Sequence, residues 1–265
     1  ISLALLVVIR LTRDTEKKEL TRKRGRRAGV LVRFRRHTHH LSLPAIVLAN
    51  VRSISNKTEE LISLIRFRRE FSEASVMCFV ETWLSSSTHD SAVTPLGYSM
   101  FREDRLLELS GKETGGGICI LVNQRWCTDS KIISTLCSPE LETLVVVCRT
   151  FYSPREFSSV LLVGVYIPPV VRTNSAINQL SKIIISVGNL YPEGAVIVLG
   201  DFHHTRLNKG LPHYKQQVKY STRGDKTLDH CYTVNKDAYR ASARARLGKS
   251  DHNTLILNPA YEAGL

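Results

Sequence analysis

No apolar stretch in this 265-residue chain reaches the roughly eighteen residues that a membrane-spanning helix needs. The sequence therefore reads as that of a soluble protein with no membrane partner. Cysteine is sparse and unpatterned: six residues, at 78, 119, 127, 137, 148 and 231, without a Cys-x-x-Cys or any paired metal-ligand spacing. That absence argues against zinc. Stretches such as Val76-Met77-Cys78-Phe79-Val80 and Ile118-Cys119-Ile120 make the cysteines small core hydrophobes of an intracellular protein. No Gly-Lys-Ser/Thr follows Gly115-Gly116-Gly117, so these glycines read as a turn or a close packing contact, not as a phosphate cradle. Solenoid repeats and low-complexity segments are absent too. No methionine opens the chain, and the apolar residues 1–9 lack a basic flank and a small-residue cleavage site. This start reads as that of a fragment or a processed product.

Acidic residues are also scarce, 24 against 37 Lys and Arg, for a net charge of +13. The excess is local. Residues 1–40 hold twelve basic side chains and three acids, which leaves +4 for the remaining 225 positions. The density peaks at Arg22-Lys23-Arg24-Gly25-Arg26-Arg27. A block of like charge repels itself, resists folding, and attracts a polyanion by releasing its counterions. Residues 1–40 are thus expected to be a disordered tail that either binds nucleic acid through Arg22, Lys23, Arg24, Arg26 and Arg27 or serves as a solvated localisation signal. Both alternatives point to nucleic acid or the nucleus and away from a membrane. Residues 41–265 are long enough for one well-buried domain.

Within that domain short apolar runs alternate with few helical patterns. Residues 44–49, 76–80, 118–122, 144–148, 160–166 and 195–199 read as buried strands, with shorter ones at 227–232 and 254–257. Asn56 is placed to cap a helix from Lys57, with Glu59 and Glu60 in its first turn and Leu61, Leu64, Ile65 and Ala74 on its inner side. Residues 173–190 give a second helix, with Ile177, Leu180, Ile184 and Val187 on one face. Many strands and few helices fit an α/β sandwich with helices outside the sheets.

Asn50, Glu81, Asp201, Asp229 and the pair Asp251-His252 all fall at or near the ends of these strands. Each alone is explained by a turn or a solvated terminus. As a set they suggest one rim of a folded sheet, where loops carry function.

Six ordered motifs carry a resemblance: Leu48-Ala49-Asn50-Val51-Arg52-Ser53, Phe79-Val80-Glu81-Thr82-Trp83-Leu84, Gly164-Val165-Tyr166-Ile167-Pro168-Pro169, Leu199-Gly200-Asp201-Phe202, Thr227-Leu228-Asp229-His230 and Lys249-Ser250-Asp251-His252. Together they resemble the endonuclease/exonuclease/phosphatase superfamily. More closely, they resemble the apurinic-endonuclease-like domain of LINE-type non-LTR retrotransposons. The likeness spans about residues 44–259. It implies a four-layered α/β sandwich, two mixed β-sheets flanked by helices, and Mg²⁺-dependent (or Mn²⁺-dependent) cleavage of phosphodiester bonds in DNA. It also implies a monomer whose nick primes a reverse transcriptase encoded downstream.

By that resemblance Glu81 and Asn50 hold the metal, with Asp251 as a further carboxylate near the metal and the leaving group. Hard oxygen donors of this kind suit Mg²⁺. Asp201 orients or deprotonates the attacking water. His252 donates to a phosphoryl oxygen while Asp229 fixes its tautomer, and Tyr166 offers its phenol to the phosphate. Ser250 is assigned to the DNA contact. Tyr166 has an equally good reading as a residue whose hydroxyl meets only water.

Two positions depart from the family pattern. His203 stands where the fourth motif has asparagine, and an imidazole offers its donor and acceptor at a different reach from an amide. A displacement of about an ångström at a positioned group can cost roughly a hundredfold in rate, so His203 is expected to impair catalysis. Arg52 replaces an acid of the repair-type members. His204 reads as loop structure, and His203 with His204 could share an ion only across a turn. Two other readings stay open: a non-catalytic nucleic-acid-binding remnant of such an element, and a phosphoesterase of lipids or small phosphates, which the basic tail disfavours.

Overall fold

The computed structural model describes residues 43–110, 115–151, 157–169 and 173–260. The tail, with Arg22, Lys23, Arg24, Arg26 and Arg27, lies outside the described residues. Twelve strands form two six-stranded sheets among the described residues. The first sheet runs β11 (Tyr239–Arg244), β12 (Thr254–Pro259), β1 (Ile46–Asn50), β2 (Val76–Val80), β4 (Ile118–Asn123) and β3 (Tyr98–Glu103). The second runs β5 (Asp129–Cys137), β6 (Glu142–Arg149), β7 (Ser159–Tyr166), β8 (Gly194–Asp201), β10 (Asp229–Thr233) and β9 (Lys215–Gln216).

Each sheet has a single parallel pair at its middle, β1 with β2 and β7 with β8; the other pairings are antiparallel. A parallel pair needs a crossover connection, and a helix usually supplies it. Helices α1 (Thr58–Phe67) and α2 (Arg69–Ser72) link β1 to β2, and the 18-residue α4 (Thr173–Leu190) links β7 to β8. A further short helix, α3 (Leu107–Ser110), precedes β4.

Side chains alternate across each strand, so one set meets between the sheets and the other meets the helices. Ile46, Leu48, Cys78 and Val80 of the first sheet pack in one cluster with Leu144, Val146, Leu162 and Ile197 of the second. On the first sheet's outer face Val47, Met77 and Phe79 pack with Leu61 and Phe71 of the α1–α2 segment. On the second sheet's outer face Val163, Val165 and Val198 pack with Ile177, Leu180, Ile184 and Val187 of α4. The result is the expected four-layered α/β sandwich. All six cysteines are buried and free, as the apolar strand context requires. Among the described residues no helix is long and apolar enough to cross a membrane.

Local departures have physical causes. The eight strands legible in the sequence are the eight interior ones, buried on both faces. The four others, β3, β5, β9 and β11, are the sheet edges. Edge strands such as β5, with its exposed Asp129, Lys131 and Ile132, need no continuous apolar run. Asn56 does not cap the first helix: α1 begins at Thr58, Lys57 holds the cap position, and no side chain bonds there. The Asn56 Oδ1 instead accepts from the Lys57 ammonium at 3.3 Å. Ala74 lies beyond α2, because Arg68 takes an extended conformation and breaks the helix.

Gly200, in β8, has φ +149°, and a Cβ there would lie 1.8 Å from the Val165 carbonyl oxygen of β7. The close approach keeps Tyr166 and Asp201 in register as neighbours. Gly200→Ala is expected to lower stability by about 2–3 kcal/mol, the scale of an overpacked core, read as a fall in the denaturant midpoint at unchanged slope.

Candidate active site

Strand direction gathers the functional residues. β1, β2, β7 and β8 end at one rim, delivering Asn50, Glu81, Tyr166 and Asp201, and the antiparallel neighbours β10 and β12 begin there, with Asp229 first in β10 and His252 just before β12. Across sheet two, Asp201 pairs with both Tyr166 and Asp229.

Asn50 joins the two carboxylates. Its Nδ2 donates to Asp201 Oδ2 at 2.9 Å and to Glu81 Oε1 at 3.2 Å. The Tyr166 hydroxyl also donates to Glu81 Oε1, at 3.0 Å. Asn50 and Asp201 are buried, and Glu81 is half-buried with a left-handed φ of +54°. A non-glycine residue in that region costs energy and recurs at functional sites. Beside this group His252 Nδ1 lies 2.7 Å from Asp229 Oδ2, and its Nε2 lies 3.9 Å from Asp201 Oδ2. The short contact with a carboxylate assigns the Nδ1 proton to the Asp229 bond. The loop before β12 is pinned by Ser250, whose hydroxyl donates to Asn50 O at 2.6 Å and accepts from His252 N at 3.2 Å. Ser250 thus sits buried behind the site, 3 % exposed, and positions Asn50 and His252.

Burial sets the charges. It pushes the Asp201 carboxyl up to about 7, reinforced by the Asp229 charge and opposed by His252, His203 N and Asn50. Burial lowers His252, but the bond to Asp229 and the surrounding carboxylates outweigh it and raise the imidazole above its usual value. Tyr166 is raised by burial and by Glu81, so it keeps its proton as a donor.

The sequence matches no protein-family profile and no curated protein. Solved structures do match. An AP endonuclease from Leishmania major aligns with 81% of this chain and 86% of its own, at TM-score 0.62 and 11% identity. A 3′ phosphatase from Neisseria, bound to a product DNA hairpin, aligns with 83% of this chain and all of its own at TM-score 0.56 and 12% identity. An endonuclease/exonuclease/phosphatase family protein from Leptotrichia buccalis gives TM-score 0.57 at 10% identity, covering 83% of this chain and 100% of its own. The chain has the endonuclease/exonuclease/phosphatase fold.

In this endonuclease/exonuclease/phosphatase fold the donor set fits a hard divalent cation. Glu81, Asp201 and His203 offer ligand atoms all within 4.8 Å of one another, and so do Asp201, Asp229 and His252. Asn50 Oδ1, Asp229 Oδ1 and His203 Nε2 are buried without a hydrogen-bond partner. A buried acceptor left bare costs about 1–3 kcal/mol, and a cation would satisfy the oxygens. Carboxylate and amide oxygens suit Mg²⁺ or Mn²⁺, whereas the His203 nitrogen is a softer donor.

His203 follows β8 in a turn at φ +47°, a conformation in which Asn and His are both enriched. Its backbone N–H donates to Asp201 Oδ1 at 2.9 Å, while its Nε2 stands 3.6 Å from Asp201 Oδ2. Burial lowers this imidazole to about 4, so it is neutral at pH 7. His204 is exposed, its ring centroid 6.4 Å from that of His203. Asp251 is half-buried: its Oδ2 pairs with the Arg223 guanidinium at 2.6 Å, and Arg52 lies 4.0 Å from its Oδ1.

Sequence reasoning missed three supports. Arg105 and Glu142 form a buried ion pair, Glu142 Oε2 accepts from Gly117 N at 2.7 Å, and the guanidinium lies over the Tyr166 ring at 5.3 Å. Lys57, buried, donates to the carbonyls of Arg52 and Ser53 and holds the loop after Asn50. Thr222 Oγ1 accepts from Leu228 N and Asp229 N at the start of β10. An Arg or Lys in a loop carries no sign in sequence of the carbonyl or carboxylate it will reach.

His230 titrates against the fold. It stacks on Phe202 with centroids 5.1 Å apart, lies 3.0 Å from Thr227 O through Nε2, and 3.0 Å from the Tyr232 hydroxyl through Nδ1. Burial lowers it to about 4, from 6.5. Between those values the unfolded chain binds a proton that the folded one refuses, so stability is present above pH 6.5 and is lost as pH falls toward 4. The contribution is roughly 3 kcal/mol. Denaturant unfolding across that pH range is expected to show the loss, and His230→Gln to flatten it.

Proposed function

We propose that this chain is a Mg²⁺-dependent DNA endonuclease, a phosphodiesterase of the apurinic-endonuclease-like kind found in non-LTR retrotransposons. The observation that carries this reading is the convergence at a single rim of two hydrogen-bonded groups, Asn50 with Glu81, Tyr166 and Asp201, and Asp229 with His252, whose Nε2 lies 3.9 Å from Asp201 Oδ2. The endonuclease and the DNA-bound phosphatase that share the fold support it.

Glu81 and Asn50 would hold the metal, which would supply positive charge to offset the negative charge of the phosphodiester. Asp201, pushed up to about 7, is poised as a general base near neutral pH. It takes a proton from water as the water oxygen bonds to phosphorus; the P–O3′ bond breaks, and the proton passes to the departing oxygen. The nick then carries a 3′ hydroxyl and a 5′ phosphate. His252 gives its Nδ1 proton to the Asp229 bond, and the same carboxylate raises its affinity for a second proton, which Nε2 would donate toward a phosphoryl oxygen. The Tyr166 phenol, now bonded to Glu81, is a second donor to the phosphate. Asp251 keeps Arg223 at the outer rim.

In the intact element the 3′ hydroxyl primes a reverse transcriptase. Arg22, Lys23, Arg24, Arg26 and Arg27 add non-specific DNA affinity in the nucleus, and the chain acts as a monomer. A second reading, a non-catalytic DNA-binding remnant, is favoured by His203, whose Nε2 stands 3.6 Å from Asp201 Oδ2 without a hydrogen bond. Conversion of supercoiled plasmid to nicked circles in Mg²⁺ separates the two.

A further inference from the structure

Trp83 is a large aromatic residue left 43 % exposed at the edge of a buried polar site. Its placement is not that of a side chain without a better position. The indole Nε1 points to Glu81 Oε2 at 3.4 Å, so the ring borders the carboxylate assigned to the metal. The backbone is left-handed, at φ +54°, a conformation that bulky residues avoid. It is held there by Trp83 N donating to Gly116 O at 3.0 Å and Thr82 N to Gly117 O at 3.3 Å.

The three glycines opposite explain themselves in the same geometry. All have positive φ. A side chain on Gly117 would strike Thr82, and one on Gly116 would strike the Arg105 guanidinium. One on Gly115 would begin 3.3 Å from the Arg105 guanidinium and 4.0 Å from Trp83 Nε1. The fold therefore holds, in a strained backbone conformation, a half-exposed ring beside the carboxylate assigned to the metal. Flat aromatic surfaces beside a phosphodiester site bind the π-face of a base, which every nucleotide has.

We propose that Trp83 is a stacking platform for a nucleobase next to the scissile phosphodiester. This rests on the nuclease reading above. A platform of this kind favours a base that has left its stack, so unpaired or nicked DNA should bind more tightly than uniform duplex.

The test uses the full chain in EDTA, where no cleavage occurs, titrated with single-stranded and duplex oligonucleotides. The chain has two tryptophans, and Trp126 packs partly buried against the inter-sheet core. Single-stranded DNA is expected to quench the fluorescence, and Trp83→Phe to abolish that quench while Trp126 still reports. Trp83→Leu should weaken single-stranded binding by about tenfold or more, and Trp83→Phe by less, on the usual scale of base stacking. Trp83→Gly supplies the control for folding: relief of the left-handed strain should keep its melting temperature at or above that of the parent even as binding falls. Equal binding by parent and Trp83→Leu, with a quench that survives Trp83→Phe, would overturn the platform and leave the nuclease reading standing. No DNA binding by the parent, read by anisotropy of a labelled oligonucleotide, would overturn both.

Discussion

Asp201→Asn is expected to slow plasmid nicking by about a thousandfold, within the range for loss of a positioned general base. The change removes the proton acceptor and also disturbs its setting. Asp201 now accepts from Asn50 Nδ2 through one oxygen and from His203 N through the other. An amide has one oxygen, so one of these donors would face an N–H₂ group. The melting temperature should therefore be measured beside the rate. A variant that keeps its fold and loses nicking assigns the loss to chemistry. A variant that nicks at the parental rate removes Asp201 from the role of base.

His203→Asn has the second large effect, in the opposite direction: a gain in nicking of roughly a hundredfold, the scale of an ångström's repositioning at a catalytic centre. The backbone already accepts the change, since φ +47° suits asparagine as well as histidine. The bond from the residue's N–H to Asp201 Oδ1 is made by the main chain and would persist. What changes is the side chain. A buried, neutral imidazole with its Nε2 unpaired gives way to a shorter amide carrying both a donor and an acceptor. Equal and negligible nicking by both forms would mean that His203 is not the only defect.

The interior of the fold and the members of the site were legible in the sequence for related reasons. A strand covered on both faces must be apolar throughout, so β1, β2, β4, β6, β7, β8, β10 and β12 announce themselves. A charged or amide residue at the end of such a run stands out, and Asn50, Glu81, Asp201 and Asp229 do. The edges β3, β5, β9 and β11 need only one covered face and pass for loop. The same limit applies to contacts made by long polar side chains. Nothing in residues 100–106 signals that Arg105 will reach Glu142 beneath Tyr166, or that Lys57 rather than Asn56 will organise the turn before α1. Asp251 is a further case. Its motif names the carboxylate, but nothing in the motif signals that its Oδ2 will pair with the Arg223 guanidinium. Ser250, assigned to the DNA contact, is buried instead, its hydroxyl bonded to Asn50 O.

The most direct test is nicking of supercoiled plasmid by the full chain in Mg²⁺, run beside the same reaction in EDTA and beside Glu81→Ala. The account predicts nicked circles with the parent in Mg²⁺, none in EDTA, and none above background with Glu81→Ala. Nicking that survives EDTA, or that Glu81→Ala performs as well as the parent, would contradict it.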